Sequence, residues 1–490
     1  MSGYARRLLR TGAAYQVADV VSKVIALALL PVYTRALTRA DYGTAELLLT
    51  VVILASILVR LGLGEAFVRF HYLDDDPERR RRLARTATLV LLASTTLAAG
   101  AMALLARPVA ELVLGADRPG VVRAAALGLW AFTNLELAYA LLRVDERARE
   151  YAAAALVNVG LTVALTVWLV VVEERGALGL LLGNFAASTV VLLGLWARSA
   201  RHAFGGRPDP AMLPVMLRFG LPTVPAEVSV FALFFVDRLY LYRVEGEAEA
   251  GLYSLSIKLA AVVIFTVRAF QYAWPPLAYS IEDDDEARRV YARVTTYYVL
   301  FTGVVVAGLA LLGRWAVRAL AAPAFFEAHE ALPWVGLGWA LYGLFLVLVA
   351  MAGRAQVTVR NLPAALAGLV ANVLLLLVLV GPLGIAGAGI ALCGAYGVML
   401  VAMYALTRSL FRVDFEWARL ALVVGVAGGA AVAGELLLPA EGAAGLVARA
   451  ALLGAVVPLL AAVGFFRPGE REAVRRLYAR VRRPPAPAAG

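Results

Sequence analysis

The sequence predicts an all-α polytopic membrane protein of about 14 transmembrane helices, built as two six-helix lobes related by a parallel repeat plus two extra C-terminal helices. Three observations lead there. Of 490 residues, 62% are hydrophobic and 17% charged, and the mean hydropathy is +0.79, whereas ordinary soluble domains carry about 25% charge. Apolar runs of roughly 20 residues recur from residue 12 to residue 466, each long enough to cross a bilayer. The chain also matches itself when shifted by 208 residues.

Taken in order, the predicted spans are 11–34, 42–64, 86–106, 120–142, 150–172, 176–197, 219–242, 251–280, 294–313, 331–353, 361–381, 384–407, 420–439 and 443–466. Arg6, Arg7 and Arg10 before an apolar stretch imitate a secretion signal. The run Gly12–Tyr33 is too long for one and holds Asp19 and Lys23, so it reads as a retained first span. With the N-terminus taken as cytoplasmic, loops on that side collect 31 Lys and Arg against 9 on the other, with six of the 46 inside spans. Both termini are therefore expected in the cytoplasm. The chain divides into a lobe at 1–200, a linker at 201–214, a second lobe at 215–410, two added helices at 411–466 and a basic tail at 467–490 that ends rich in Pro and Ala.

The repeat brings Arg10 onto Arg218, Gly12 onto Gly220, Arg35 onto Arg243, Gly43 onto Gly251, Arg60 onto Arg268 and Asp19 onto Glu227. It also aligns residues 74–85 with 282–293, identical at seven of twelve positions, and sets Gly176 and Gly179 on Gly384 and Gly387. Recurring acidic-then-basic loops do not explain registered glycines and intramembrane charges, so the reading is a duplication. Six spans per copy keep both halves in one orientation and place a cavity between them, as alternating access requires.

Several function classes fall away. The single cysteine, Cys393, permits no intrachain disulfide or cysteine cluster, and the three histidines are scattered. No phosphate-binding GxxxxGK[ST] motif occurs, and no loop is long enough to hold a catalytic domain. The net charge of +11 is accounted for by cytoplasmic loops and anionic lipid rather than by nucleic acid. No cofactor or metal is expected, and the protein is read as a non-enzyme.

The charges inside spans are the candidate site. Lys23, Arg60, Arg238, Lys258, Arg268 and Arg449 are basic, while Asp19, Glu136, Glu227 and Asp237 are acidic. Each costs about 2.5–3.5 kcal/mol at mid-membrane, so such groups face protein or water and are functional candidates. Hairpin geometry puts Asp19 level with Arg60, and the repeat puts Glu227 level with Arg268. Those pairs are either salt bridges tying helices 1–2 and 7–8 or substrate contacts, and Asp19 and Lys23 are spaced to pair with each other. Lys23 and Lys258 are the only lysines among 46 basic residues, both within spans. The cationic substrate set is Arg35, Arg60, Arg268, Lys23, Lys258 and Arg243, and the coupling set is Asp19, Glu227 and Asp237.

Residues 12–50 resemble the opening of the O-antigen and polysaccharide flippases of the multidrug/oligosaccharidyl-lipid/polysaccharide exporter superfamily. Pro31, Thr34-Arg35-x-Leu37 and Asp41-Tyr42-Gly43 carry the signature, AGLYSLSIKLA (250–260) is similar to its counterpart after span 7, and GALG (176–179) and GIAG (384–387) to its glycine turns. The resemblance implies movement of an undecaprenyl-diphosphate-linked oligosaccharide between leaflets of the bacterial inner membrane through a cation-lined cavity. Its implied partners are that substrate, membrane lipids and polysaccharide assembly proteins. Related lipid II flippases carry functional arginines on helices 1, 2 and 8, where Arg35, Arg60 and Arg268 fall. The competing readings are a multidrug/cation antiporter of the same superfamily, a lipid II flippase, and a polytopic polymerase or glycosyltransferase.

Overall fold

The computed structural model describes residues 21, 24–73, 76–203, 208–354 and 360–470. Asp19, Lys23 and the basic tail beyond residue 470 lie outside them. The described elements are helices and turns: α1 (Leu30–Ala36), α2 (Arg39–Arg60), α3 (Leu63–His71), α4 (Pro77–Leu104), α5 (Ala106–Leu114), α6 (Pro119–Val144), α7 (Ala148–Val167) and α8 (Gly176–Ala203). There follow α9 (Met212–Gly220), α10 (Val224–Val244), α11 (Glu247–Leu259), α12 (Ala261–Ser280), α13 (Asp284–Leu320), α14 (Leu332–Arg354), α15 (Asn361–Thr407), α16 (Trp417–Leu437) and α17 (Gly442–Ala462).

Among the described residues eleven helices are long and apolar enough to cross a membrane, or twelve when α11 and α12, broken at Ala260, count as one span. The predicted fourteen differ at two places. The first span lies mostly outside the described residues, and the two predicted spans within α15 are counted together, although they are two helices that meet at Gly384, whose φ of 53° and ψ of −133° are non-helical. Gly176, 208 residues earlier, also has a positive φ, 51°. Both copies of the sequence thus place a glycine where an L side chain would be strained.

The residues form two compact units. The first comprises Met1–Leu259, Val317–Val335 and Asn361–Met399, the second Ala260–Ala316, Gly336–Arg360 and Leu400–Gly490. Their boundaries cut across the predicted lobes, because helices distant in sequence pack against α2.

Within the first unit α2 is the organising helix. Thr38 caps it, its Oγ1 accepting from the Asp41 amide at 3.0 Å, and Asp41 sits in the first turn, where a negative charge suits the helix dipole. Asp41 also accepts from the Ala177 amide at 3.2 Å, at the start of α8. Two of the sequence motifs, Asp41-Tyr42-Gly43 and GALG, therefore meet in one capping arrangement. Thr34 plays a similar part, its Oγ1 donating to the Leu30 carbonyl and accepting from the Ala322 amide at 3.0 Å.

The crossing of α2 with α11 is reciprocal. A Cβ placed on Gly43 would lie 2.0 Å from the Glu247 carbonyl oxygen, and one on Gly251 would lie 2.2 Å from that of Arg39. Gly43 and Gly251 are repeat equivalents, and so are Arg39 and Glu247. The backbones touch about a local two-fold relation that only glycine permits. Polar ties surround it: Arg118 grips Glu247 through two hydrogen bonds of 2.8 and 3.1 Å, Thr44 and Tyr242 both reach the Glu247 carboxylate at 3.1 Å, and Arg39 pairs with Glu327 at 2.7 Å.

The second unit is held partly by the α16–α17 hairpin. Arg449, fully buried, donates to Glu435 at 2.9 Å and to the carbonyls of Pro439 and Leu438, so this intramembrane arginine completes the end of α16. Val423, Ala427, Val456 and Leu460 pack beside Ala307 in that unit's core.

Gly43→Ala should lower the melting temperature of the detergent-solubilised protein sharply. The obstruction is backbone rather than a movable side chain, and overpacking of this kind costs about 1–3 kcal/mol or more. Gly100→Ala, where a Cβ meets nothing within 4 Å, should leave the melt unchanged.

Candidate functional site

The α2 helix carries two ionic stations on nearly one face, since Glu46 and Arg60 are fourteen residues and about 21 Å apart. The first is buried. Glu46, 3% exposed, accepts a hydrogen bond from the Lys258 ammonium of α11, and the Arg238 guanidinium of α10 stands 4.0 Å from its other oxygen. Arg238 also donates to Thr50, one turn along α2, and Lys258 lies 5.1 Å above the Tyr42 ring. One carboxylate thus faces two cations, and Asp237, next to Arg238 in the chain, lies near the second of them. The Lys258 side chain is 35% exposed and opens one side of the station. Glu46 was absent from the charges singled out in the sequence, although it lies in span 42–64 and the same count of intramembrane acids would have found it.

The second station joins Arg60 to Glu227 of α10, Nη2 to Oε1, at 2.9 Å. The sequence paired helices within each hairpin; the observed bridge runs from span 2 to span 7. That exchange follows from the glycine crossing, which draws the α10–α11 segment onto α2. Arg60 also lines a cavity of about 380 Å³ with Arg69 and Arg143, where Glu65 and Glu136 balance part of the charge. Arginines lining one cavity are suited to bidentate contacts with a phosphate or diphosphate; here the Arg69 guanidinium lies 4.8 Å over the Phe219 ring and that of Arg143 lies 6.0 Å over Tyr151. Glu227 occupies Arg60, so an incoming anion must displace this carboxylate.

A third feature is the predicted coupling acid. Asp237 is 1% exposed; one of its oxygens accepts from the Tyr253 hydroxyl at 3.1 Å and the other makes no hydrogen bond. Asn372, also buried, lies beside it within reach of the carboxylate. A carboxylate buried among apolar helices fits a place that takes up a proton or a small cation.

The remaining predicted residues fall apart from these stations. Arg243 donates to the carbonyls of Glu111 and Leu112, closing the end of α5. Arg35 is exposed and makes no ion pair among the described residues. Arg268, in the second unit, is exposed near Tyr342. Asp19 and Lys23 lie outside the described residues.

This arrangement, many apolar helices with ion pairs buried between them, defines a multi-pass membrane protein. The chain belongs to the family described as polysaccharide biosynthesis protein, whose model matches residues 32–329. It is similar to Lsg locus putative protein 1 of Haemophilus influenzae, 25% identical over 288 residues that make up 56% of this chain and 66% of that protein, a little under two thirds. Its fold is similar to that of the lipid II flippase MurJ in an inward closed conformation, with a TM-score of 0.73, 10% identity, and coverage of 93% of this chain and 98% of the other. An inward-facing multidrug resistance MATE family transporter of the MOP superfamily matches with a TM-score of 0.65 and 16% identity over 79% of this chain and 94% of its own. The fold is therefore shared with both of these solved proteins.

Glu46→Ala should deplete the protein, because the mostly buried Arg238 and the partly exposed Lys258 lose their counter-charge, at a cost of up to about 3–5 kcal/mol. Removing Lys258 as well should restore part of the loss. Thermal melts of the single and double variants measure this coupling, and additive losses would mean that the pair does not interact.

Proposed function

We propose that this protein is a flippase that moves an undecaprenyl-diphosphate-linked oligosaccharide from the inner to the outer leaflet of a bacterial inner membrane by alternating access, for cell-surface polysaccharide synthesis. It acts as a transporter and not as an enzyme, with both termini in the cytoplasm. The observation that carries the reading is the Arg60 cavity, whose lining includes Arg60, Arg69 and Arg143, in a chain whose family is named for polysaccharide biosynthesis. A diphosphate cannot enter hydrocarbon without fixed cations to replace its hydration.

The mechanism follows from the ion pair. A diphosphate arriving at Arg60 competes with Glu227, which then loses its counter-charge and takes up a proton or another cation more readily. Binding of the anion and uptake of a positive charge are thereby linked. Asp237 is the second carboxylate placed for uptake of charge. An inside-negative membrane potential adds about 2.3 kcal/mol per charge per 100 mV in favour of outward movement of anions.

Reconstitution in proteoliposomes with a fluorescent prenyl-diphosphate oligosaccharide, followed by reduction of the outward-facing dye, tests this. Arg60→Ala should slow flipping by about tenfold or more, the loss of one charge-assisted contact. Lys at that position should restore only part, since it lacks the fork. Glu227→Gln should retain substrate binding yet lose the dependence of flipping on a pH gradient. Normal flipping by Arg60→Ala would rule out this cavity as the diphosphate site. Glycosyl transfer by the purified protein, or drug efflux without lipid flipping, would replace the reading altogether.

A further inference from the structure

A second cavity of the first unit, about 570 Å³, lies at one end of α4, α6 and α8, away from the two ionic stations on α2. Its polar wall holds Arg80, Arg81, Arg147 and His71. Phe67, Leu195 and Trp196 form the apolar wall. Asp145 and Glu146 also border it but are exposed. The basic groups outnumber the acidic ones.

Two features mark it as built for a ligand. His71 is 6% exposed, and its Nδ1 is buried without a hydrogen-bond partner. Burial and the neighbouring Arg80 guanidinium push the imidazole below its ordinary range, against the smaller opposing pull of Asp145. The ring is therefore neutral at pH 7, with one N–H to donate and one nitrogen to accept. Arg147 is oriented from behind: its Nε and Nη2 hold Glu150 at 2.8 and 2.6 Å, leaving Nη1 outside the pair.

The repeat supplies an internal comparison. Shifting by 208 residues carries His71 onto Tyr279, Asp145 onto Gly353 and Glu146 onto Arg354, and those three residues line the corresponding cavity of the second unit. There Arg354 donates to the carbonyls of Ala278, Ile281 and Glu282 and to Asp284. Its guanidinium serves the local backbone. In the first unit that duty passes to Arg80, whose Nε donates to the His71 carbonyl at 3.0 Å. The second copy keeps arginines at the positions of Arg80 and Arg81, Arg288 and Arg289, but has Tyr279 and Ala355 where the first copy has His71 and Arg147.

We infer that this cavity binds a lipid-borne phosphate, with the anion held by Arg81, Arg147 and His71 and the attached chain laid against Leu195 and Trp196. Its position at the ends of three spans is the depth at which lipid phosphates sit, and its pairing of cations with an apolar wall suits a molecule that is anionic at one end only. The anion belongs either to a glycerophospholipid of the bilayer or to the diphosphate end of a prenyl carrier. These sources share the recognised chemistry. Neither depends on the Arg60 cavity being the transport site.

The test uses the full-length protein in nanodiscs containing dibrominated phosphatidylglycerol or dibrominated phosphatidylcholine. Emission of the wild type minus that of Trp196→Phe isolates Trp196. Quenching of that component should need about tenfold less phosphatidylglycerol than phosphatidylcholine. The preference should shrink to near unity in Arg81→Gln/Arg147→Gln. Arg81→Gln alone, at an exposed position, should show part of the loss if the double variant is unstable. Added farnesyl diphosphate that reverses the quenching assigns the cavity to a prenyl carrier, and failure to reverse it assigns the cavity to the phospholipid headgroup. Equal quenching by the two lipids, or a preference unchanged in well-folded Arg81→Gln/Arg147→Gln, overturns the proposal.

Discussion

Where Gly43 of α2 meets the backbone at Glu247, and Gly251 of α11 meets it at Arg39, two helices approach more closely than any side chain allows. The rest of the first unit depends on this contact. It brings α11 and the preceding α10 against α2, so that Lys258 and Arg238 reach Glu46 and Glu227 reaches Arg60. In a membrane, where apolar surfaces gain little from leaving lipid, close packing at small residues and polar contacts between helices supply the cohesion. The motif residues serve the same junction. Asp41 joins the starts of α2 and α8, and Thr34 ties α1 to the segment at Ala322.

The two stations on α2 differ in kind. At the first, a carboxylate with 3% exposure is matched by two cations, and removing it leaves the mostly buried Arg238 without its counter-charge. This is a structural demand, though the partly open Lys258 gives it an exposed face. At the second, Arg60 and Glu227 have side chains 21% and 38% exposed, within a cavity that carries further arginines. An ion pair near water is cheap to open and exchange, which is the property an anion-binding site needs. Burial thus separates the charges that hold the helices from those that can change partners.

The span pattern, the glycine turns and the duplicated charge positions were legible in the sequence, because apolar length and positive-φ glycines are local requirements. Gly176 and Gly384 have matching positive φ values 208 residues apart, as their alignment implied. The candidate site was legible only in part. Arg60, Lys258, Glu227 and Asp237 stood out as charges in spans, but Glu46 was passed over, and Arg243, picked out by its repeat partner, serves the end of α5. Repeat equivalence identifies positions, and it does not say which carbonyl or carboxylate will lie opposite each one.

The sequence by itself determined that the chain is helical and membrane-spanning, since uninterrupted apolar runs of about 20 residues suit a helix, which satisfies its backbone hydrogen bonds within the segment, and are too long for the alternating strands of a barrel. It also determined which residues bear the cost of charge within the membrane. Tertiary structure alone decided the partners. Arg60 bonds to Glu227, 167 residues away, and Lys258 to Glu46, 212 residues away. Such pairings follow from which helices cross at glycine and at what depth, a three-dimensional outcome that no periodicity along one strand of sequence encodes.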